Sequence, residues 1–279
     1  PAVVRLVGTT GEAVVDSQGY YSFSVPAGTY LVRAVATLPG YRGSERQNVT
    51  LAVGDVLTLD FTLTPAPSIL LVDADAWASS YAISYYRSAL DNLLYSYDTW
   101  AISDFPANNP SAYKLAQYDL VIWVQPKTSP GYIAAWSELA DYLGQGGRLL
   151  ISGEDIGYWD YQSGMAATYR SYLHANYLED DGGLIPISGL PGEILDGIRL
   201  EFNTADSARN QTAPDTVARA DALAHPVIAS HPETVFGLRA DGCTHRVVYL
   251  SFGLEGIGPQ ASREQVLTRA IAWLAADRP

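Results

Sequence analysis

The sequence predicts two domains, a small all-β sandwich over residues 1–66 and a three-layer α/β domain of flavodoxin-like order over residues 67–279. Three observations predict it. The first 66 residues alternate apolar and polar side chains between turn signals and nowhere show a helical period. A Pro-rich seam, "TPAPS" from Thr64 to Ser68, follows. Beyond the seam, apolar runs of strand length alternate with amphipathic stretches of helix length, the grammar of an open α/β sheet.

In the first domain "YYSFSV" and "TYLVRAVA" read as strands, and "VTLAVGDVLTLDFTLT" as two more, broken at Gly54-Asp55. Turns are expected at Asp16–Gly19, Pro26–Gly28 and Pro39-Gly40. The run "DSQGYYSFSVPAGTYLVRAVATLPGY" resembles the carboxypeptidase regulatory-like domain, a prealbumin-like sandwich, at Asp16, Gly19, Tyr21, Phe23, Pro26, Gly28, Tyr30 and Gly40-Tyr41. That resemblance implies a module without chemistry of its own, and a first strand lost ahead of Pro1.

In the second domain "SILLVDAD" reads as a buried strand and Ser79 to Leu94 as a helix with Ile83, Tyr86, Leu90 and Leu93 on one face. "YDTWAI" and "YDLVIWV" are the next strands. A helix opening near Pro130 follows, with Ile133, Trp136, Ala140 and Leu143 inward and Gly144 at its end. "RLLIS" is the next strand and Met165 to Tyr177 the next helix. Strands are then expected at "GIRLEF", "PVIAS", "TVFGLRA" and "RVVYLSF". Ser262 with Gln265 would form the capping box of a last helix. The parallel grammar predicts a mainly parallel sheet with helices on both faces.

Charge and composition exclude whole classes of function. Net charge is −13, with two lysines against 15 arginines, so the basic footprint of a nucleic-acid binder is missing. No apolar run reaches the roughly 20 residues of a membrane-spanning helix, so no membrane insertion is expected. Cys243 is the sole cysteine, which precludes an internal disulfide. Beginning at Pro1 with its single methionine at Met165, the chain reads as a fragment or a processed product, and 19 tyrosines with so few lysines read as an exported bacterial protein, extracellular or at the cell surface.

Chemistry in such a sheet gathers at the carboxyl ends of the strands. Those ends carry Asp73 and Asp75, Gln125, the turn Ser152-Gly153-Glu154-Asp155, and Glu255. The succession "YDLVIWV", helix, "GGRLLISGED", with "VVYLSFGLEGI" later, resembles the class I glutamine amidotransferase-like superfamily. The resemblance implies a nucleophile at the first motif and a histidine at the second. Here "SGED" has no thiol, and Phe252-Gly253-Leu254-Glu255 has glycine where histidine belongs. A serine in that place needs a neighbouring base. "SHPE", Ser230 to Glu233, spells the superfamily's His-Pro-Glu signature but precedes the matching strand by about 20 residues and reads as a turn. His174, His225 and His245 read as isolated.

The five acids Asp73, Asp75, Glu154, Asp155 and Glu255 would suit a hard cation such as Ca²⁺, or would cap helix N-termini. Trp77, Tyr158, Trp159 and Tyr161 near them would suit a sugar platform or a core rim. The expected function is a non-catalytic accessory or binding region of a larger exported protein, with no resident cofactor. The resemblance points to an appendage of a secreted subtilisin-like protease. Its partners would be the rest of the parent polypeptide and a polysaccharide or protein substrate. The alternatives are a hydrolase using Ser152, His231 and Glu255, or a Ca²⁺- or carbohydrate-binding module.

Overall fold

The computed structural model describes residues 1–78, 81–104, 106–125, 133–231, 234–242 and 244–277, the side chain of His231 excepted. The chain divides into two compact units, Pro1–Ile69 with Leu90–Asp98, and Leu70–Ala89 with Thr99–Pro279.

The first unit is all-β over its first 66 residues. Its strands are β1 (Ala2–Leu6), β2 (Glu12–Val14), β3 (Gly28–Ala36), β4 (Tyr41–Arg42), β5 (Ser44–Leu51) and β6 (Thr64–Pro65). An antiparallel sheet runs β2-β1-β3-β5, and β4 pairs with β6, so the Pro-rich seam opens on a short strand. The core is Val4, Leu6, Val32 and Ala34. Two segments expected as strands, residues 20–25 and 55–63, form no assigned ladder. They nevertheless place Tyr21, Phe23, Val25, Leu59, Phe61 and Leu63 against that core, and the Tyr21 hydroxyl donates to the Leu59 carbonyl at 2.7 Å. Alternation reports which side chains face inward; it does not report whether the backbone is paired.

Beyond the seam come β7 (Ile69–Asp73), α1 (Ile83–Asn92), β8 (Tyr97–Ala101), α2 (Ala112–Leu115), β9 (Leu120–Val124), α3 (Trp136–Gly144), β10 (Arg148–Ser152), α4 (Ile156–Gln162) and α5 (Ala166–Leu173). Then follow β11 (Ala175–Glu179), β12 (Ile187–Gly189), β13 (Arg199–Phe202), β14 (Thr216–Arg219), β15 (Ala224–His231), β16 (Thr234–Asp241), β17 (Arg246–Leu250), β18 (Ile257–Gly258) and α6 (Gln260–Ala275). The sheet order is β18-β13-β12-β15-β16-β17-β10-β9-β7-β8, with β14 on β16 and β11 on β14. The segment β8-β7-β9-β10 is the flavodoxin-like start.

The sheet is mixed, a correction to the mainly parallel expectation. β9, β10 and β17 are parallel neighbours, while β17-β16, β16-β15, β15-β12 and β12-β13 are antiparallel. Connection length decides this. Two residues separate β15 from β16 and four separate β16 from β17, too few for the dozen or more that a parallel crossover needs.

β7, β9 and β17 are buried along their whole length, as strands covered on both faces must be. Leu149 and Ile151 of β10 pack into a cluster with Trp136, Leu139, Tyr169 and Leu173 from α3 and α5, while α6 packs against β9, β10 and β17.

Several helix ends differ from expectation. α1 starts at Ile83, and residues 79 and 80 lie outside the described residues, as does Pro130. On α3 Leu139 is fully buried and Ala140 half-buried. Met165–Tyr177 is not one helix: α5 ends at Leu173, His174 takes the left-handed conformation (φ 53°), and β11 begins. α6 starts at Gln260, so Ser262 falls inside its first turn and the capping box does not form. The Gln260 N–H donates to Asp206 at 2.5 Å instead.

Candidate functional site

The turn after β10 is where a nucleophile would be presented. Ser152 ends β10 and is fully buried. Gly153 follows because nothing larger fits: a Cβ there would stand 1.9 Å from the Gln125 carbonyl oxygen at the end of the neighbouring β9. The Gly153 N–H donates to the Leu250 carbonyl at 3.2 Å, stitching the turn to β17 as well.

The protons around Ser152 can be accounted for one by one. Its hydroxyl donates to the Phe252 carbonyl at 2.7 Å. The Tyr86 hydroxyl, from α1, lies 3.0 Å from Ser152 Oγ and donates to Glu255 Oε2 at 3.2 Å. The Leu254 N–H reaches both the Tyr86 hydroxyl, at 3.0 Å, and Ser152 Oγ, at 3.2 Å. The serine proton therefore rests on an amide carbonyl, which is no base, and Tyr86 stands between Ser152 and Glu255. Burial, then the Glu255 carboxyl, push the Tyr86 phenol well above its usual range, so Tyr86 keeps its proton. Among the described side chains no histidine nitrogen lies within hydrogen-bond reach of Ser152 Oγ. β15 ends at His231, whose side chain lies outside the described residues, as do Pro232 and Glu233 of the "SHPE" run and Cys243.

Glu255 occupies the space a side chain at position 253, where the sequence resemblance implies a histidine, would need. It is fully buried in a 3₁₀ turn, Leu254–Gly256, and its Oε1 lies 2.0 Å from where a Cβ on Gly253 would be. Oε1 accepts from Asn210 Nδ2 at 2.9 Å and Gln211 Nε2 at 3.2 Å, and Gln211 Oε1 accepts the Gly253 N–H at 2.8 Å. Burial raises the Glu255 carboxyl, with these donors opposing.

Asn210 and Gln211 open a segment, "NQTAPD" from Asn210 to Asp215, that fills the strand-end crevice. The fully buried Glu154 accepts the N–H groups of Thr212 and Ala213 on Oε1. Asp215, also fully buried, reaches α4, where its Oδ2 accepts the Gly157 and Tyr158 N–H groups at 2.7 and 3.2 Å. Its Oδ1 is buried without a hydrogen-bond partner among the described residues. Burial pushes the Asp215 carboxyl up to about 9, the two N–H donors working the other way. Asp155 occupies the N-cap position of α4, yet its side chain makes no cap bond.

Nothing in the sequence marked this segment except its turn formers, because its partners lie 44 to 59 residues away. Asp160, buried on α4, accepts from the Ile133 N–H at 3.0 Å and Trp136 Nε1 at 2.8 Å, and burial raises it to about 7. It too escaped the sequence reading.

Of the five acids expected to share Ca²⁺, Asp73, Glu154 and Glu255 hold hydrogen bonds within the chain. Among the described residues no three His, Cys, Asp or Glu side chains form a metal-sized group. Asp73 is buried, accepts the Asp75 N–H at 3.4 Å and is raised by burial. Glu154 and Glu255 are engaged as above. The aromatic side chains of α4 pack edge-on: Tyr158 against Trp159 at 5.3 Å and Tyr161 against Tyr169 at 5.6 Å, while Trp77 is 38% exposed. If Glu154 serves the segment and not a cation, Glu154→Ala is expected to cost about 2–4 kcal/mol in urea unfolding, because two buried N–H groups lose their acceptor. Millimolar Ca²⁺ should then leave the melting temperature of the native chain unchanged. A Ca²⁺-induced rise that Asp155→Asn removes would restore the cation reading.

The chain thus pairs a small all-β module with an α/β domain of mixed sheet. The family model of the carboxypeptidase regulatory-like domain matches residues 1–64. No curated protein matches the chain. Among solved structures, similar ones include a protein described as a GMP synthase component from Thermoplasma acidophilum, at 13% identity and TM-score 0.48, covering 75% of this chain and 94% of that one. A ThuA-like protein from Bacteroides uniformis aligns at 11% identity and TM-score 0.46, covering 75% and 92%. The exo-β-1,4-mannosidase Op5Man5 from an Opitutaceae bacterium aligns at 13% identity and TM-score 0.45, covering 75% and 35%.

Proposed function

We propose that this chain is a non-catalytic accessory or binding region of a larger exported bacterial protein, such as a secreted subtilisin-like protease, acting outside the cell or at its surface. One observation carries the reading: the strand-end centre is closed by its own chain. Ser152 donates to a backbone carbonyl, Glu255 fills the space above Gly253, and Asn210–Asp215 occupies the crevice a substrate would enter. A reacting group needs a nucleophile and a base in contact, with room beside them. The match to a carboxypeptidase regulatory-like module over residues 1–64 supports an accessory role. The partners proposed are the parent polypeptide and a polysaccharide or protein substrate, to which the chain would tether or orient the parent.

The test is covalent labelling of the isolated chain with a serine-directed fluorophosphonate, together with glutaminase and esterase assays. No label and no turnover are expected, and Ser152→Ala should retain whatever binding to insoluble polysaccharide the native chain shows. Labelling that disappears in Ser152→Ala would replace this reading with the hydrolase, and His231 would become the first base to mutate.

A further inference from the structure

Two histidines that look isolated in sequence meet at the other end of the sheet. His245 stands just before β17, at the amino end of a strand whose carboxyl end neighbours Ser152. His174 ends α5. Both are 6% exposed, their rings stack with centroids 5.2 Å apart and planes 26° apart, and their Nε2 atoms face each other at 3.2 Å. Asp221 Oδ2 lies 2.7 Å from His174 Nδ1, which therefore carries a hydrogen. The Tyr172 carbonyl oxygen, an acceptor only, stands 3.2 Å from His245 Nε2. That nitrogen therefore carries the hydrogen in the gap, and His174 Nε2 accepts it. Thr244 Oγ1 lies 3.2 Å from His245 Nδ1. Among the described residues the ionisable groups facing the pair are Asp221, between β14 and β15, and Tyr172 of α5, whose ring lies 5.9 Å from that of His245. Asp241 and Arg246, to either side of His245 in sequence, pair with each other at 2.8 Å. Cys243 of the same loop lies outside the described residues.

We propose that His174 and His245 form an acid-operated clasp between the end of α5 and the loop before β17, closed while the pair holds at most one extra proton and opened by a second. Counting hydrogens gives the reason. The two rings have four nitrogens, and the neutral pair carries one hydrogen on His174 Nδ1 and one in the gap. A first added proton fits on His245 Nδ1, because the Thr244 hydroxyl can accept as well as donate. The Asp221 carboxylate then stands as counter-charge across His174. A second added proton has only the gap left. Two hydrogens between nitrogens 3.2 Å apart would set donor against donor on two cationic, buried rings, and the contact must break. The open form thus binds one proton more than the closed form, so falling pH favours it.

The backbone of His174 favours release in the same direction. Its φ of 53° is strained in a residue other than glycine or asparagine and persists only where contacts hold it. Opening lets it relax, which frees the turn from α5 into β11 and the loop between β16 and β17 while the parallel strands stay paired. The clasp is independent of the proposed function: the fluorophosphonate and hydrogen-exchange tests can each fail alone.

The test follows the full chain from about pH 7.5 to about pH 4, a span that brackets the protonation of a free imidazole near 6.5. In an NMR titration of the ring nitrogens, the two histidines are expected to move together, in two steps more than about one pH unit apart. Hydrogen exchange reports the opening. The Ala220 N–H donates to the His174 carbonyl at 2.8 Å, and the Gly242 N–H to the His245 carbonyl at 2.9 Å. Both should lose at least about tenfold in protection through the second step, while the Gly153 N–H at the opposite end of the sheet keeps its own. His245→Gln separates the clasp from general weakening by acid. Glutamine offers both a donor and an acceptor, so by turning its amide it meets His174 in either protonation state, and protection should survive at about pH 4. A single common titration step, unchanged protection of Ala220 and Gly242 in the native chain, or equal loss in His245→Gln would each overturn the clasp. The two native readouts decide the matter should the variant fail to fold.

Discussion

Between pH 5 and pH 9 the native chain is expected to lose several kcal/mol of stability, and Asp215→Asn is expected to remove most of that loss. Asp215 is fully buried, and its carboxyl is raised from the ordinary 3.8 to about 9, first by burial and then by its acidic neighbours Asp155 and Asp180. Its folded value lies above its unfolded one, so the folded state binds the extra proton throughout the window between them. The stabilisation is complete below about pH 4 and drains away as pH rises through the folded value. The full difference corresponds to about 7 kcal/mol at 1.36 kcal/mol per unit, an upper bound that relaxation and water entry reduce. Asp160, raised to about 7, adds loss of the same sign in the lower half of the window. Asparagine keeps an acceptor for the Gly157 and Tyr158 N–H groups without an ionising proton. The variant should therefore match the native chain near pH 5 and exceed it near pH 9. Urea unfolding of both at pH 5, 7 and 9 measures this; a flat native profile, or equal slopes in the two proteins, would contradict it.

Placing a histidine at position 253 is expected to damage the protein and yield no enzyme. A Cβ at position 253 would stand 2.0 Å from Glu255 Oε1 and 2.4 Å from its Cδ. Glu255 cannot swing aside cheaply, because Tyr86, Asn210 and Gln211 all donate to its fully buried carboxyl. Gly253→His should cost about 3 kcal/mol or more, from overpacking and from donors stripped of their acceptor. Ser152→Cys combined with it should release no ammonia from glutamine. Gly144→Ala is the control: nothing lies within 4 Å of its Cβ position, so it should stay within about 1 kcal/mol of the native chain. A Gly253→His protein as stable as the control, or with glutaminase activity, would mean that the crevice adapts and that the closed centre is not fixed.

The sequence was read correctly where the signal is local. The strands Ile69–Asp73, Leu120–Val124, Arg148–Ser152 and Arg246–Leu250 are short apolar runs bounded by turn formers, and they lie where that pattern put them. The glycine at position 253 and the absence of a thiol at 152 were visible as letters, and both bear directly on the candidate site. Helix starts were read less well. The N-terminal N–H groups of α4 and α6 are met by Asp215 and Asp206, remote in sequence, and not by the adjacent Asp155 and Ser262. Rules for capping boxes see only neighbours three residues apart.

What the sequence alone determined was the class of each half, because side-chain period and turn chemistry act over a few residues. It also determined that the strand-end turn lacks a thiol and its partner position lacks a histidine. Tertiary structure alone decided the antiparallel half of the sheet, the plugging of the crevice by Asn210–Asp215, and the meeting of His174 with His245 across 71 residues. These depend on which distant segments share space in the folded chain. That is set by the summed packing of the whole core, and no short window of residues encodes it.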